Sequence, residues 1–87
     1  MYETLRSPIP TISGRQRQIA QLIAAGCSNE EVSAKLGISP RTAKAHTDIL
    51  RQKLGVPRRR QIPAAFMATT GEDPLVDGLR LIASGRV

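Results

Sequence analysis

The chain has 87 residues, 13 Lys+Arg against 7 Asp+Glu, one Cys, one His and no Trp, which allows one small domain near the lower limit for a self-sufficient core. A single cysteine excludes a disulfide framework, and Cys27 with His46 falls short of the four ligands of a structural zinc site. No apolar run approaches the ~20 residues needed to cross a bilayer, and residues 1–20 hold no signal-peptide core. The expectation is a reduced, cytoplasmic protein with no membrane, metal or cofactor partner, and not an enzyme, because the lone His46 and Cys27 lack an orienting partner.

Residues 1–11, with Pro8 and Pro10, read as an irregular arm. Ser13 then opens a capping box with Gln16, Ile19, Leu22 and Ile23 recur at helical spacing, and Gly26 stops a helix over roughly 14–25. Ser28 with Glu31 starts a second helix, which carries Val32 and Leu36 on one face and stops at Gly37. Ser39 as cap and Pro40 at the first position start a third, running to Leu54 and ended by Gly55. On it Ala43, His46, Thr47, Leu50 and Leu54 form one stripe, with Arg41, Lys44, Ala45, Asp48, Arg51 and Gln52 opposite. Ile49 lies on the border of the two, without a reason in the periodicity. A fourth helix is expected near 60–70, with Pro63 in its first turn and Gly71 at its end. A fifth starts at Asp73-Pro74, with Leu75, Leu79 and Ile82 on one face, Gly78 weakening it and Gly85 ending it. No strand pattern, repeat or low-complexity tract appears, so the class is all-α.

Charge is localised. Residues 1–34 are balanced. Residues 35–60 carry Lys35, Arg41, Lys44, Arg51, Lys53, Arg58, Arg59 and Arg60 against Asp48 alone, a net +7, and residues 61–87 carry −1. The second and third helices are joined by only Gly37-Ile38-Ser39, the sequence form of a helix-turn-helix. Ser33 allows close approach, Gly37 supplies the turn and Ile38 plugs it into the core. The outward face of the third helix stays polar and basic, as a helix entering a major groove requires. Scarce aromatics argue against modules that stack bases. Double-stranded DNA is the partner this pattern implies.

The runs Ile12–Ile19, Leu22–Val32 and Leu36–Ser39, then Thr42–His46 and Lys53–Val56, together resemble the LuxR-type helix-turn-helix domain over about residues 11–70, without a gap. The resemblance implies a bacterial four-helix DNA-binding domain over 12–71, acting as a homodimer in transcription control; residues 72–87, beyond it, are expected from their own pattern to be an extension with a short helix. Its base-facing positions fall on Arg41, Lys44, Ala45 and Asp48. Its phosphate contacts fall on Asn29, Thr42, His46 and Arg59, with Ser28 and Ser39 holding helix N-termini and Arg58 and Arg60 adding charge beside them. Some residues depart from the family pattern. Gln16 and Gln18 stand where acidic residues are common, which is expected to loosen an anchor of the first helix. Ser33 and Ala43 are small for their positions, Asp48 could only accept from a cytosine amino group or repel phosphate, and Pro63 is expected to unsettle the start of the fourth helix.

The fourth helix is expected to pair with a second copy through Ala64, Met67 and Ala68, with Phe66 turned to the core. Leu75, Leu79 and Ile82 are expected to pack on the domain or its twin, and removal of 72–87 to weaken pairing without unfolding. The family usually joins this domain to a receiver or ligand-binding half, for which the ten residues after Met1 are expected to leave no room. A stand-alone regulator or a piece of a longer protein are the two readings, and the Met1-Tyr2-Glu3 start is expected to mark the former. A rival from another class is a protein-binding adaptor or antagonist, which would use the same bundle to engage RNA polymerase or another regulator.

Overall fold

The computed structural model describes residues 11–84. They form five α-helices, α1 Gly14–Ala24, α2 Asn29–Leu36, α3 Pro40–Leu54, α4 Ile62–Thr70 and α5 Pro74–Ala83, with a 3-10 turn Arg59–Gln61 leading into α4 and no strand among them. All but residue 11 of the expected N-terminal arm, and Gly85, lie outside the described residues.

Local chemistry starts the first three helices where the sequence places them. Ser13 Oγ accepts from Gln16 N at 3.1 Å while Gln16 Oε1 accepts from Ser13 N at 3.0 Å. Ser28 and Glu31 repeat this reciprocal pairing at α2. Ser39 Oγ accepts from Thr42 N at 3.0 Å with Pro40 in the first turn of α3. Each pairing satisfies N–H groups that the helix itself leaves orphaned. Between α2 and α3 the chain reverses at Gly37, whose φ of +68° is costly for any residue with a Cβ. Ile38 N then donates to Ser33 O at 3.0 Å, and the Ile38 side chain packs against the core.

α1 runs through the middle of the bundle, packing most extensively against α5 and also against α3 and α4, while α2 leans mainly on α3. Ile19, Leu22, Val32, Leu50, Ile62 and Phe66 are fully buried together, and each contributes about 1.5–3 kcal/mol of apolar burial. The small Ser33 of α2 and Ala43 of α3 are both buried. Two buried hydroxyls are satisfied locally: Ser33 Oγ donates to Glu30 O, and Thr47 Oγ1 to Ala43 O. Phe66 faces the core as expected, with the Arg17 guanidinium over its ring.

Four expectations are corrected. The inward face of α5 is not Leu75–Leu79–Ile82: Leu75 and Leu79 are 43% and 53% exposed, and Pro74 and Gly78 are buried instead, with Leu81 and Ile82 packed against the core. Gly78 is the point of closest approach rather than a weakness, because a Cβ there would lie 2.0 Å from the Gln21 carbonyl oxygen. Pro63 does not unsettle α4. It sits in the first turn, where its missing N–H has no helical partner to lose, and the 3-10 turn, with Arg58 N donating to Gln61 Oε1, leads the chain in. Gln16, finally, keeps an anchor despite being neutral: its buried Oε1 accepts from Lys53 Nζ at 3.0 Å, and the same ammonium donates to Thr11 O at 2.7 Å.

Candidate nucleic-acid interface

α3 has two unlike sides. Ala43, Thr47 and Leu50 are buried, and Leu54 is half-buried against the core. Arg41, Thr42, Lys44, Ala45 and Gln52 are exposed, Asp48 is partly so, and His46 is half-buried on the flank. The four expected base-facing residues, Arg41, Lys44, Ala45 and Asp48, therefore stand together on an open helix surface, since positions three and four apart adjoin.

Their electrostatics are not those of four independent groups. Asp48 Oδ2 accepts from Lys44 Nζ at 2.9 Å and Asp48 Oδ1 from Arg51 Nη2 at 2.8 Å, while Arg51 Nη1 donates to Pro57 O. The hydrogen bonds from Arg51 and then Lys44 hold the Asp48 carboxyl below the usual carboxylate range. This carboxylate partly neutralises two cations, and Arg41 is the basic side chain of this face that makes no hydrogen bond or ion pair among the described residues.

The expected phosphate contacts separate into two groups. Ser39 and Thr42 lie at the start of α3, whose first turn holds no acidic residue, so its partial positive charge is open to an anion. Ser28 and Asn29 lie at the start of α2 beside Glu30 and Glu31, and Glu31 already takes the Ser28 N–H. Arg59 donates to Asn29 Oδ1 and to the Cys27 carbonyl, clamping the start of α2 to the segment before α4. Burial pushes the Arg59 guanidinium below the usual arginine range. Arg58 and Arg60 are exposed. Sequence reasoning missed the Arg59 clamp and the Gln16–Lys53 link, because each joins residues thirty or more positions apart. Cys27 is buried; burial first, and then the Glu31 carboxylate, raise its thiol pKa, which suits a packing role and not a reactive one.

Residues 10–66 match the profile of the family described as bacterial regulatory proteins, luxR family. The chain belongs to that family. The transcriptional regulatory protein UhpA of Escherichia coli (strain K12) is 42% identical over 45 residues, 52% of this chain and 23% of that protein. The transcriptional regulatory protein MctR of Rhizobium johnstonii (strain DSM 114642 / LMG 32736 / 3841) is 39% identical over 56 residues, 64% of this chain and 26% of that protein. The chain thus spans about a quarter of the length of these curated relatives. No solved structure matches it. The family is one of regulators and not of enzymes, and in it this chain supplies a helix-turn-helix of the DNA-binding type, formed by α2 and α3. No helix among the described residues is long and apolar enough to cross a membrane.

Proposed function

We propose that this chain binds specific double-stranded DNA as a homodimer, with α3 in the major groove, and that it regulates transcription in the cytoplasm. The observation that carries this reading is the two-sidedness of α3: a buried stripe fixes it to the bundle, and the opposite face presents Arg41, Lys44, Ala45 and Asp48 to solvent. Arg41 and Lys44 suit guanine O6 and N7, and Asp48 a cytosine amino group. Ser39 and Thr42 at the start of α3, with Arg58 and Arg60 beside the bundle, suit phosphates, and His46 stands at the edge of the same face. Ser28, Asn29 and Arg59 would act together, with Arg59 holding the start of α2 in place while it touches the backbone. For the dimer, Ala64, Met67 and Ala68 are all exposed on α4, and small side chains allow two such helices to approach closely.

Selection from a random duplex pool tests the proposal. The expected result is an enriched two-fold symmetric sequence with half-sites about one helical turn (~10 bp) apart or closer. Lys44→Ala should weaken the enriched site by ~1–3 kcal/mol and relax one base-pair preference. A second reading, an adaptor that binds RNA polymerase or another regulator, is favoured by one observation: Asp48 takes up both Lys44 and Arg51 on the face that would meet DNA. Failure to enrich any sequence would favour it.

A further inference from the structure

α3 carries one large apolar side chain that the fold does not use. Ile49 is 43% exposed and lies outside the set of apolar residues packed on the core. At 100° per residue it sits about 130° from the middle of the buried stripe and about 40° from Ala45, one turn earlier. Its other neighbours one turn away, His46, Gln52 and Lys53, are polar or charged. A lone exposed isoleucine is ordinary on a protein surface, but the flank of a candidate recognition face, one turn from the exposed Ala45, is a distinctive place for one. Helix propensity does not call for it, since a β-branched side chain loses rotamer freedom in a helix.

We infer that Ala45 and Ile49 form an apolar strip that packs on the 5-methyl groups of thymines in the major groove, and that Ile49 is a specificity-determining residue. This inference rests on the reading of α3 as the helix that enters the groove. The thymine methyl is the one apolar group that the base edges offer there. Four residues of helix rise about 6 Å, close to two base steps of about 3.4 Å each, so the strip can cover methyls on neighbouring pairs. Its setting favours DNA over a protein partner: it lies within the net +7 segment between Arg41, Lys44 and Lys53, and one alanine with one isoleucine lacks the aromatic anchors of a protein interface.

The test takes the duplex enriched from the random pool and replaces its thymines one at a time with deoxyuridine, which removes the methyl and leaves base pairing intact. Binding should weaken about fourfold, the worth of one buried methyl-sized group, at one or two positions per half-site and nowhere else. Ile49→Ala, checked by circular dichroism to be folded, should lose that sensitivity at one of these positions while keeping the same dependence on salt. Wild-type protein that binds the uracil duplexes as tightly as the thymine duplex at every position would overturn the strip while leaving the DNA reading in place. So would an enriched sequence with no thymine in its half-sites, or deoxyuridine sensitivity unchanged in Ile49→Ala. Failure to enrich any duplex would instead overturn the DNA reading itself, and the strip with it.

Discussion

Asp48 decides how much of the charge on α3 is free to meet a polyanion. Asp48→Asn should release Lys44 and Arg51 and steepen the plot of log affinity against log salt by up to about 2 units, at ~0.9 per added phosphate contact. Because Arg51 and Lys44 hold the carboxyl below its usual range, it stays ionised as pH falls from 7 to 5. The ratio of variant to wild-type affinity on random DNA should therefore be the same at both, and a ratio that shrinks at pH 5 would show the carboxyl titrating in that window. The three consecutive arginines should behave differently from one another. Replacing Arg58 and Arg60 with Gln should flatten the salt plot by up to about 2 units with unchanged stability. Arg59→Gln should cost about 1–3 kcal/mol in urea unfolding, because it releases the clamp on Asn29 and Cys27. Equal effects on stability from all three would contradict the clamp. The Ser caps were legible because their partners lie three residues away. The Arg59 clamp was not, because its partners are distant in the chain and nothing local marks them.

At the scale of elements, α5 separates propensity from packing. Gly→Ala normally stabilises a helix interior by about 1 kcal/mol. At Gly78 the added methyl meets the Gln21 carbonyl of α1, so Gly78→Ala should lower stability by about 1–3 kcal/mol; a raised urea midpoint would contradict the close approach. Removal of residues 72–87 should likewise lower the midpoint and not merely loosen a dimer, since it strips α1 of its most extensive neighbour and breaks the Arg17–Glu72 ion pair. The existence of α5 was legible from its Asp-Pro start, but its phase was not. Leu75, Val76, Leu79, Leu81 and Ile82 surround much of the helix, and the choice among faces falls to whichever allows closest contact. The glycine face wins because leucines would hold the two helices apart. α3 was read correctly because its stripe and its charged face are cleanly separated; only Ile49 blurred the border, and it proves to be outside.

At the scale of the molecule, a luxR-family bundle of this size presents one candidate recognition helix, and one helix seldom supplies the discrimination a genome demands. Ala64→Glu, on an exposed position of α4, should leave the helical circular-dichroism signal intact and abolish cooperative binding to a two-fold symmetric site. Retained cooperativity would move the interface elsewhere. The central claim, that the open face of α3 reads double-stranded DNA, is tested most directly by fluorescence anisotropy of the enriched and a scrambled duplex between about 50 and 200 mM salt. The expected result is a steep loss of affinity with salt for both duplexes, with the enriched one bound at least ~10³-fold more tightly throughout. Binding that is indifferent to salt, or equal for the two duplexes, would contradict it.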